Sequence, residues 1–595
     1  MPELGIIGKL GKHRYAEPAV IGAVFILLYL ATINTIPQYD PVRNLVVSQE
    51  TQMRGIPTYF DSAYWQHPPL LNYMIAFVSS ITGLHVYFSG NAVILLLSFF
   101  SLFVFYELCM ELRDRKDRNF ARIATIVLGV MPVFWVWSNQ IMHEVPQTFF
   151  FIATIYSFYM AVKQDKKLYF YASGLFFALG LLLKMENVIV LPVMMVFAVA
   201  EKGKGVFGKR FILNIIAMFV VSGLVFSPYF LYRSVNGAPS FFGERAFSEI
   251  VTGEAAWAEG GSIATPFYYY VTSIFDIISF GVIFFAIGLY CFYRKRDRYM
   301  WLPLIWMCMS YLILSIFSHK EYRYMIIAIP AMVMISVYGL YSLKDRYLKN
   351  KRHFYALLLI LVIALGAHSV YKASNDGYWP LNWKMWDDLK GMDNIVLSTD
   401  LYKYSTVDVA YGVVKLMSGK YSDFITGDPQ KDLSFAMMYN TPYLLYVGKP
   451  EFSYPFVKLK YFEECNCTLY KIDERFLFEN KTLVKTTSGG VPLEGANVYL
   501  VGQDGKVLYR SRSNIRGEIY IPADSYTGVV IAEKICYTRV QTYINIENRT
   551  LKLCELKQKA GVLGMAENYL ECRLSEGIDL AYRGCFDHEY GNSRF

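Results

Sequence analysis

The chain is short of charge and of cysteine, and both shortages are uneven. Asp, Glu, Lys and Arg make up only 18% of its 595 residues, against 54% hydrophobic and 17% aromatic residues. That composition excludes an ordinary soluble domain over the whole length. After residue 375 no apolar run is long enough to span a bilayer, so any membrane part ends there. No Asn-X-Ser/Thr sequon occurs before Asn466. No internal repeat is evident and the polar groups avoid mid-span positions, which weighs against a transporter or flippase. His, Cys, Asp and Glu nowhere fall at metal-ligand spacing. The first apolar segment lacks a small-residue cleavage site behind it, so it is expected to remain as an anchor.

Before residue 376, long apolar segments follow one another. They lie near 19–36, 86–108, 121–138, 146–162, 168–183, 187–200, 210–231, 267–291, 299–317, 325–342 and 354–372, and predict about eleven membrane helices, with 168–200 open to a different division. Basic residues collect at every second connection. Lys9, Lys12 and Arg14 precede the first segment; Arg113, Arg115, Lys116 and Arg118 follow the second. Lys163, Lys166 and Lys167, then Lys202, Lys204, Lys209 and Arg210, then Arg294, Lys295, Arg296 and Arg298, then Lys344, Arg346, Lys349, Lys351 and Arg352 continue the alternation. This is the positive-inside pattern with a cytoplasmic N-terminus. It absorbs most of the +9 net charge, so the expected partner is the lipid bilayer and no nucleic-acid partner is expected.

The same count puts the C-terminal region outside the membrane. Sequons at Asn466, Asn480 and Asn548 agree, as do six cysteines, Cys465, Cys467, Cys536, Cys554, Cys572 and Cys585. An even number there predicts disulfides of open pairing in an oxidising compartment. Cys109, Cys291 and Cys308, in or near apolar segments, read as packing residues.

The less basic, outer connections hold the unusual residues. The first, about 37–85, contains Asp40, Arg43, Glu50 and Gln66-His67-Pro68-Pro69-Leu70. Leu70–Thr82 is too short to span and reads as an interfacial helix with Tyr73 and Phe77 at headgroup level. The second outer connection has His143 and Glu144, the third Lys184-Met185-Glu186-Asn187, and the fourth, about 233–266, several Glu and Arg residues. The fifth is His319-Lys320-Glu321-Tyr322-Arg323-Tyr324, a charged run between two apolar segments. Ionisable groups at the bilayer cost about 2.5–3.5 kcal/mol each on insertion scales, so such a run needs a topological or a chemical reason. Singly, Asp40 reads as a solvated cap, Lys184 as a snorkelling lysine and His67-Pro68-Pro69 as a helix start. Together they describe a cavity open to the exterior.

The run His319–Tyr324, followed by Ile329-Pro330, resembles the HKE-x-R-F/Y signature of lumenal mannosyltransferases of the GT-C superfamily. Asp40, the amphipathic stretch behind it and Pro68-Pro69-Leu70 resemble the first loop of that superfamily's protein O-mannosyltransferase and aminoarabinose transferase group, and Lys184 its basic residue after the fifth span. The resemblance covers roughly residues 15–375. Two departures stand out: Asp40 is followed by Pro41 rather than a second acid, leaving Glu144 or Glu50 as the partner carboxylate, and no Trp-Trp-Asp-Tyr-Gly block is present.

The resemblance implies an α-helical polytopic GT-C-like domain acting as a glycosyltransferase. The expected donor is a polyprenyl- or dolichyl-phosphate hexose and the acceptor a lipid-linked glycan or a protein. Asp40 would be the base, with Glu144 as the second carboxylate, in an inverting single displacement. Lys184, Lys320 and Arg323 would face the leaving phosphate, with His319 as a donor, Glu321 orienting the cations, and Arg43, His67 and His143 lining the substrate. No cofactor is expected; a divalent cation is compatible with the donor but no ligand spacing indicates one. The alternatives are a transporter or flippase of lipid-linked sugars and a membrane-anchored surface receptor.

Beyond 375 the pattern changes. Trp383–Leu389 is helix-like, and Ile395–Ser398 and Tyr443–Val447 are strand-like, which predicts a small extracytoplasmic α/β domain over 376–475. Short alternating runs with Asp504-Gly505 and Arg516-Gly517 predict a β-sandwich over 476–550, resembling carboxypeptidase-regulatory modules, followed by a Cys-containing tail over 551–595. The setting that fits is an archaeal cell membrane or a eukaryotic endoplasmic reticulum membrane, and the appended sandwich points to archaea.

Overall fold

The structure is a computed structural model. It describes residues 15–32, 40–59, 62–63, 67–235, 266–317, 320–346 and 350–375, and short strand segments between 395 and 555. His319, the side chain of Asp40, the connection 236–265, the stretch Trp383–Leu389, the sequon asparagines and the side chains of the six C-terminal cysteines lie outside the described residues. The chain divides into two compact units, Met1–Tyr378 and Trp379–Phe595.

The first unit is helical. Its elements are α1 (Ala16–Leu30), α2 (Asp40–Arg54), the two-stranded pair β1 (Thr58–Tyr59) and β2 (Ser62–Ala63), α3 (Leu70–Thr82), α4 (Val86–Leu112), α5 (Arg118–Gly129), α6 (Pro132–Ser138), α7 (Glu144–Gln164) and α8 (Lys167–Leu181). They continue with α9 (Val190–Lys202), α10 (Lys209–Val235), α11 (Tyr269–Thr272), α12 (Ile274–Ile278), α13 (Gly281–Lys295), α14 (Trp301–Ile316), α15 (Ile329–Arg346) and α16 (Lys351–Asn375). Helix lies on each of the eleven expected segments. Among the described residues six helices are long and apolar enough to cross a membrane, or seven if α5 and α6 count as one bent span.

Two segments differ from a single straight span for local reasons. The run 121–138 bends by 62° between α5 and α6, where Pro132 opens a new helix and lacks the N–H a continuous one would need. The run 267–291 is three pieces, α11, α12 and α13, and Ser279, between the last two, stands at φ 50°, a left-handed value that no helix interior accepts. The chain is apolar through both breaks, so hydropathy alone does not mark them.

The helices show the inversion expected of a bilayer solvent. Leu213, Ile216, Val220, Leu224 and Leu231 of α10 are exposed, while Asn214 and Ser222 are buried; the Ser222 hydroxyl donates to the Gly174 carbonyl at 2.9 Å. α13 packs along α15. A Cβ on Gly288 would strike the Ile335 carbonyl, and one on Gly339 the Phe284 carbonyl, so each glycine lets two backbones touch.

Charged groups gather at one end of the bundle. Arg113 pairs with Asp117 at 3.0 Å and lies over Tyr299, Lys163 pairs with Asp114 at 2.8 Å, Arg298 with Glu201 at 2.7 Å, Arg210 with Asp165 at 3.3 Å, and Arg122 with Glu17. These are the connections expected to be basic. The helix ends that carry Glu144, Lys184 and Arg323 belong to the other pole.

In the second unit, Ile395–Ser398 (β3) and Tyr443–Val447 (β5) form as expected. They lie in a five-stranded sheet of order β4-β3-β5-β7-β6, with β4 Phe424–Ile425, β6 Phe456–Phe462 and β7 Cys467–Ile472. The β3 pairings are parallel and those of β7 antiparallel, as in a mixed α/β sheet. Two further sheets follow. One joins β8 (Lys481–Ser488) to β9 (Val491–Pro492), β12 (Glu518–Pro522) and β15 (Lys552–Glu555). The other runs β11 (Val507–Arg512), β10 (Asn497–Gly502), β13 (Thr527–Glu533), β14 (Val540–Asn545). β10 and β11 pair antiparallel, with Val501 opposite Val507; Asp504-Gly505, expected as a turn, lies outside the described residues.

The close backbone approach yields a test. Gly339→Leu should lower the detergent-solubilised protein's melting temperature by several degrees, since overpacking costs about 1–3 kcal/mol. Gly366→Leu, whose Cβ meets nothing within 4 Å, should leave it unchanged; equal effects of the two would refute the packing argument.

Candidate active site

Three sequence-distant segments converge on Glu144. That residue opens α7, where the helix dipole favours a carboxylate. Lys184 stands one turn beyond α8: its N–H still donates to the Gly180 carbonyl at 2.9 Å, and its own carbonyl accepts from Asn187, starting the 3-10 turn Met185–Ile189. Arg323 sits on the 3-10 segment Tyr322–Ala328, which Trp306 anchors by donating its indole N–H to the Ile327 carbonyl at 2.8 Å. Lys184 Nζ is 3.4 Å and Arg323 Nε 3.8 Å from Glu144 Oε1.

The cations have outer partners too. Lys184 Nζ is 3.5 Å from Glu186, and Arg323 engages both oxygens of Glu321, Nε at 2.7 Å and the guanidinium N–H at 2.9 Å. Side-chain exposure grades the cluster. Glu144 is 2% exposed, whereas Glu321 and Glu186 are 35% and 36% exposed. One carboxylate thus lies at the floor and two at the rim, with the cations between. Aromatic faces close the sides: Tyr324 lies 4.7 Å from Lys184 Nζ, and Trp137 5.3 Å from the Arg323 guanidinium carbon. The Tyr324 hydroxyl donates to Glu321 at 3.3 Å.

The first loop is laced to this floor. The Leu70 N–H, at the start of α3 behind Pro68-Pro69, donates to the Leu182 carbonyl at 2.9 Å, two residues before Lys184. Asn72 donates to the Asn44 carbonyl at 2.9 Å, and Asn44 to the Ile141 carbonyl at 3.0 Å, tying α3 to α2 and α2 to the chain just before His143. The His67 ring lies against that of His143, with centroids 4.7 Å apart and planes inclined at 46°. α3 buries Leu71, Ile75 and Ala76 and exposes Tyr73, Phe77 and Ile81, as an interfacial helix should.

Burial, then the charges of Lys184, Arg43 and Arg323 together with His143, hold the His67 pKa well below its ordinary value. Burial likewise pushes His143 down to about 4, with Glu144 opposing. For Lys184, burial works against the ammonium, but Glu186 and Glu144 outweigh it and the pKa is raised. Burial lowers the Lys320 pKa.

Of the sequence-derived candidates, Glu144, His143, Lys184, Glu321, Arg323 and His67 come together, and Arg43 is near enough for its charge to act on His67. Lys320 is buried at the start of the motif. Asp40 is the first residue of α2, one turn before Arg43; its side chain lies outside the described residues, as does His319. Glu50 is buried and accepts the Thr58 hydroxyl at 2.6 Å, which ties it to the β1 strand. Trp137 and Gln147, the latter one turn along α7 from His143, were not singled out by sequence. Tyr324 was within the motif, whereas an aromatic or amide inside an apolar run carries no signal of its own. Among the described residues no group of His, Cys, Asp and Glu is arranged to hold a metal ion.

The helical bundle thus carries, at one pole, a buried carboxylate held by two cations from distant segments. Residues 66–232 match the family described as dolichyl-phosphate-mannose-protein mannosyltransferase, and residues 261–389 match the Alg9-like mannosyltransferase family. The first match carries His67, Glu144 and Lys184, the second the His319–Tyr324 motif. The structure resembles that of ArnT from Cupriavidus metallidurans, with a TM-score of 0.58 at 13% identity over 76% of this chain and 98% of that one. It also resembles the archaeal oligosaccharyltransferase AglB from Archaeoglobus fulgidus, with a TM-score of 0.52 at 10% identity over 92% of this chain and 99% of that one. An uncharacterised protein of Aquifex aeolicus is 24% identical over 349 residues, 58% of this chain and 66% of its own length. Each family match covers less than a third of the chain, and the two solved structures share its fold at low identity.

Two expectations follow. Removing Lys184 alone (Lys184→Met) leaves Glu144 under-compensated at the floor and should cost about 3 kcal/mol. The double variant Glu144→Gln/Lys184→Met should recover most of it in denaturant melts, and strict additivity would contradict the pairing. The second concerns pH. A histidine whose pKa is lower folded than unfolded, about 6.5, makes the unfolded state take up the proton first. Stability should therefore fall as pH drops below about 6.5 and level off near the folded value, about 4 for His143. His143→Gln should flatten that limb; an unchanged limb would show that His143 is not buried as a neutral ring.

Proposed function

We propose that this protein transfers a hexose, mannose or glucose, from a polyprenyl-phosphate donor to an acceptor on the outer face of the membrane. The observation that carries the reading is the convergence of Lys184 and Arg323, from separate elements, on the buried carboxylate of Glu144. Two family matches of mannosyltransferase type support it. So do structural neighbours, one solved with undecaprenyl phosphate and one with a dolichol-phosphate.

On transfer the bond between the anomeric carbon and the phosphate oxygen breaks, and the electron pair stays with the phosphate. Its charge rises from about one towards two, so it needs cations where that charge develops and no acid to protonate it. Lys184, Arg323 and Lys320 take that part in our reading, with His319 as a further donor. The rim carboxylates Glu321 and Glu186 yield their cation contacts to the phosphate, while Glu144 keeps the pair in place. Asp40, at the opening of α2, takes the acceptor hydroxyl's proton as the new bond forms from the opposite face, giving inversion. Protein cations serve the phosphate here, and no cofactor is assigned.

The reading puts the N-terminus in the cytoplasm and the Trp379–Phe595 unit outside, because the ion-paired pole collects the basic connections. Within that unit we take the 395–472 sheet as an α/β domain and the two later sheets as a β-sandwich with a non-catalytic role. Acceptors compatible with an outer-face site are a lipid-linked glycan and a protein hydroxyl.

The test is to incubate purified protein with radiolabelled dolichyl-phosphate mannose and, separately, glucose, and to follow the label. Asp40→Asn should abolish transfer and retain donor binding; retained turnover would sink the base assignment. Arg323→Lys, which loses the two-pronged grip, should lower kcat about 10²–10³-fold.

A further inference from the structure

One stretch of the site holds polar atoms that neither the packing nor the proposed phosphate chemistry uses. Trp137 Nε1, His143 Nε2, Glu144 Oε2 and Gln147 Nε2 are all buried, in residues less than a tenth exposed, and none has a hydrogen-bond partner among the described residues. Leaving a buried polar atom unpaired costs about 1–3 kcal/mol, and native structures hold few such atoms. Four within eleven residues of chain therefore ask for a ligand.

The four are neighbours in space. The Trp137 ring lies against the Arg323 guanidinium, and Arg323 faces Glu144. His143 immediately precedes Glu144, and the Gln147 N–H donates to the His143 carbonyl at 2.8 Å, which sets Gln147 one helical turn along the same face.

Their chemistry is mixed. The indole and the amide nitrogen donate, Glu144 Oε2 accepts, and the imidazole nitrogen does either according to its tautomer. A phosphate only accepts and would be repelled by Glu144. An apolar chain would leave all four unpaired. Vicinal hydroxyls, each both donor and acceptor, satisfy such a set. A hydroxyl-bearing sugar is favoured over an ammonium, because an ammonium only donates and would leave the indole and amide N–H groups unpaired.

We infer that Trp137 and Gln147, with His143 Nε2 and Glu144 Oε2, form a subsite that reads the hydroxyls of a neutral hexose, the sugar of the donor. This rests on the donor reading above. The donor's sugar is favoured over an acceptor's because it is attached to the phosphate that Lys184 and Arg323 would hold, within 4 Å of Glu144. Trp137 and Gln147 act on which sugar is bound, not on the departing phosphate.

The experiment compares the affinity of the full chain in detergent for polyprenyl phosphate with that for polyprenyl-phosphate mannose and glucose. The wild-type protein should bind one of the sugar-bearing lipids about tenfold more tightly than the bare phosphate. Trp137→Phe and Gln147→Leu should each remove most of that increment and leave the affinity for polyprenyl phosphate within twofold. Trp137→Phe keeps an aromatic face beside Arg323, and Gln147→Leu keeps the volume, so a folding defect in one leaves the other to decide. No increment in the wild type, an increment untouched by both variants, or an equal loss for bare and sugar-bearing lipid overturns the subsite. A wild-type protein that binds none of the three lipids overturns the donor reading, and the subsite with it.

Discussion

The cluster at the start of α7 is organised by one buried carboxylate, Glu144, held between two cations. Glu144 has almost no contact with solvent, and taking an isolated ion out of water costs several kcal/mol even after relaxation. It is tolerable only with Lys184 and Arg323 in place. Those residues come from elements 40 and 179 positions further along the chain by number. The constraint therefore reaches outward. α8 must end where Lys184 can turn inward, the Tyr322–Ala328 segment must tighten into a 3-10 helix, and Trp306 must hold that segment by its Ile327 carbonyl.

The opposite pole obeys a different rule. Its pairs Arg298 with Glu201 and Arg210 with Asp165 involve well-exposed side chains, and exposed pairs contribute about 0–1 kcal/mol each, while Arg115 there also joins the buried Glu107 and Glu111. The exposed pairs mark orientation more than they hold the fold. Around Glu144 the same residue types are buried, aromatic-walled and mutually dependent.

How much of this was legible follows from what each feature costs. The charged motif, Lys184 and His143–Glu144 stood out because ionisable groups beside apolar runs are expensive and rare. The strands Ile395–Ser398 and Tyr443–Val447 were readable because β-branched and aromatic runs between polar stretches leave little choice. The helix α2, Asp40–Arg54, was visible only as an amphipathic stretch without ends, since its mixed composition lacks a clear stop before Gly55. The breaks at Pro132 and Ser279 were hidden inside apolar sequence. Trp137 and Gln147 were hidden most completely: a tryptophan in an apolar helix reads as core, and its unpaired N–H exists only once the neighbours are known.

The graded exposure of the three carboxylates bears on why such a site could work repeatedly. A cation that must hold a phosphate in one step and release it in the next cannot be left bare, because rehydration and collapse would reorganise it each time. A partner that is already in place keeps it oriented, and preorganised charge is what stabilises a transition state at least cost. Were all the partners buried, an incoming anion could displace none of them. Here the floor carboxylate is sealed while the two rim carboxylates reach water, so on our reading exchange is confined to the rim. Arg323 gives up Glu321 for phosphate and takes it back on release, and Glu144 holds the geometry throughout. On the same reading the sugar, attached to that phosphate, meets Glu144 Oε2, which has no hydrogen-bond partner among the described residues.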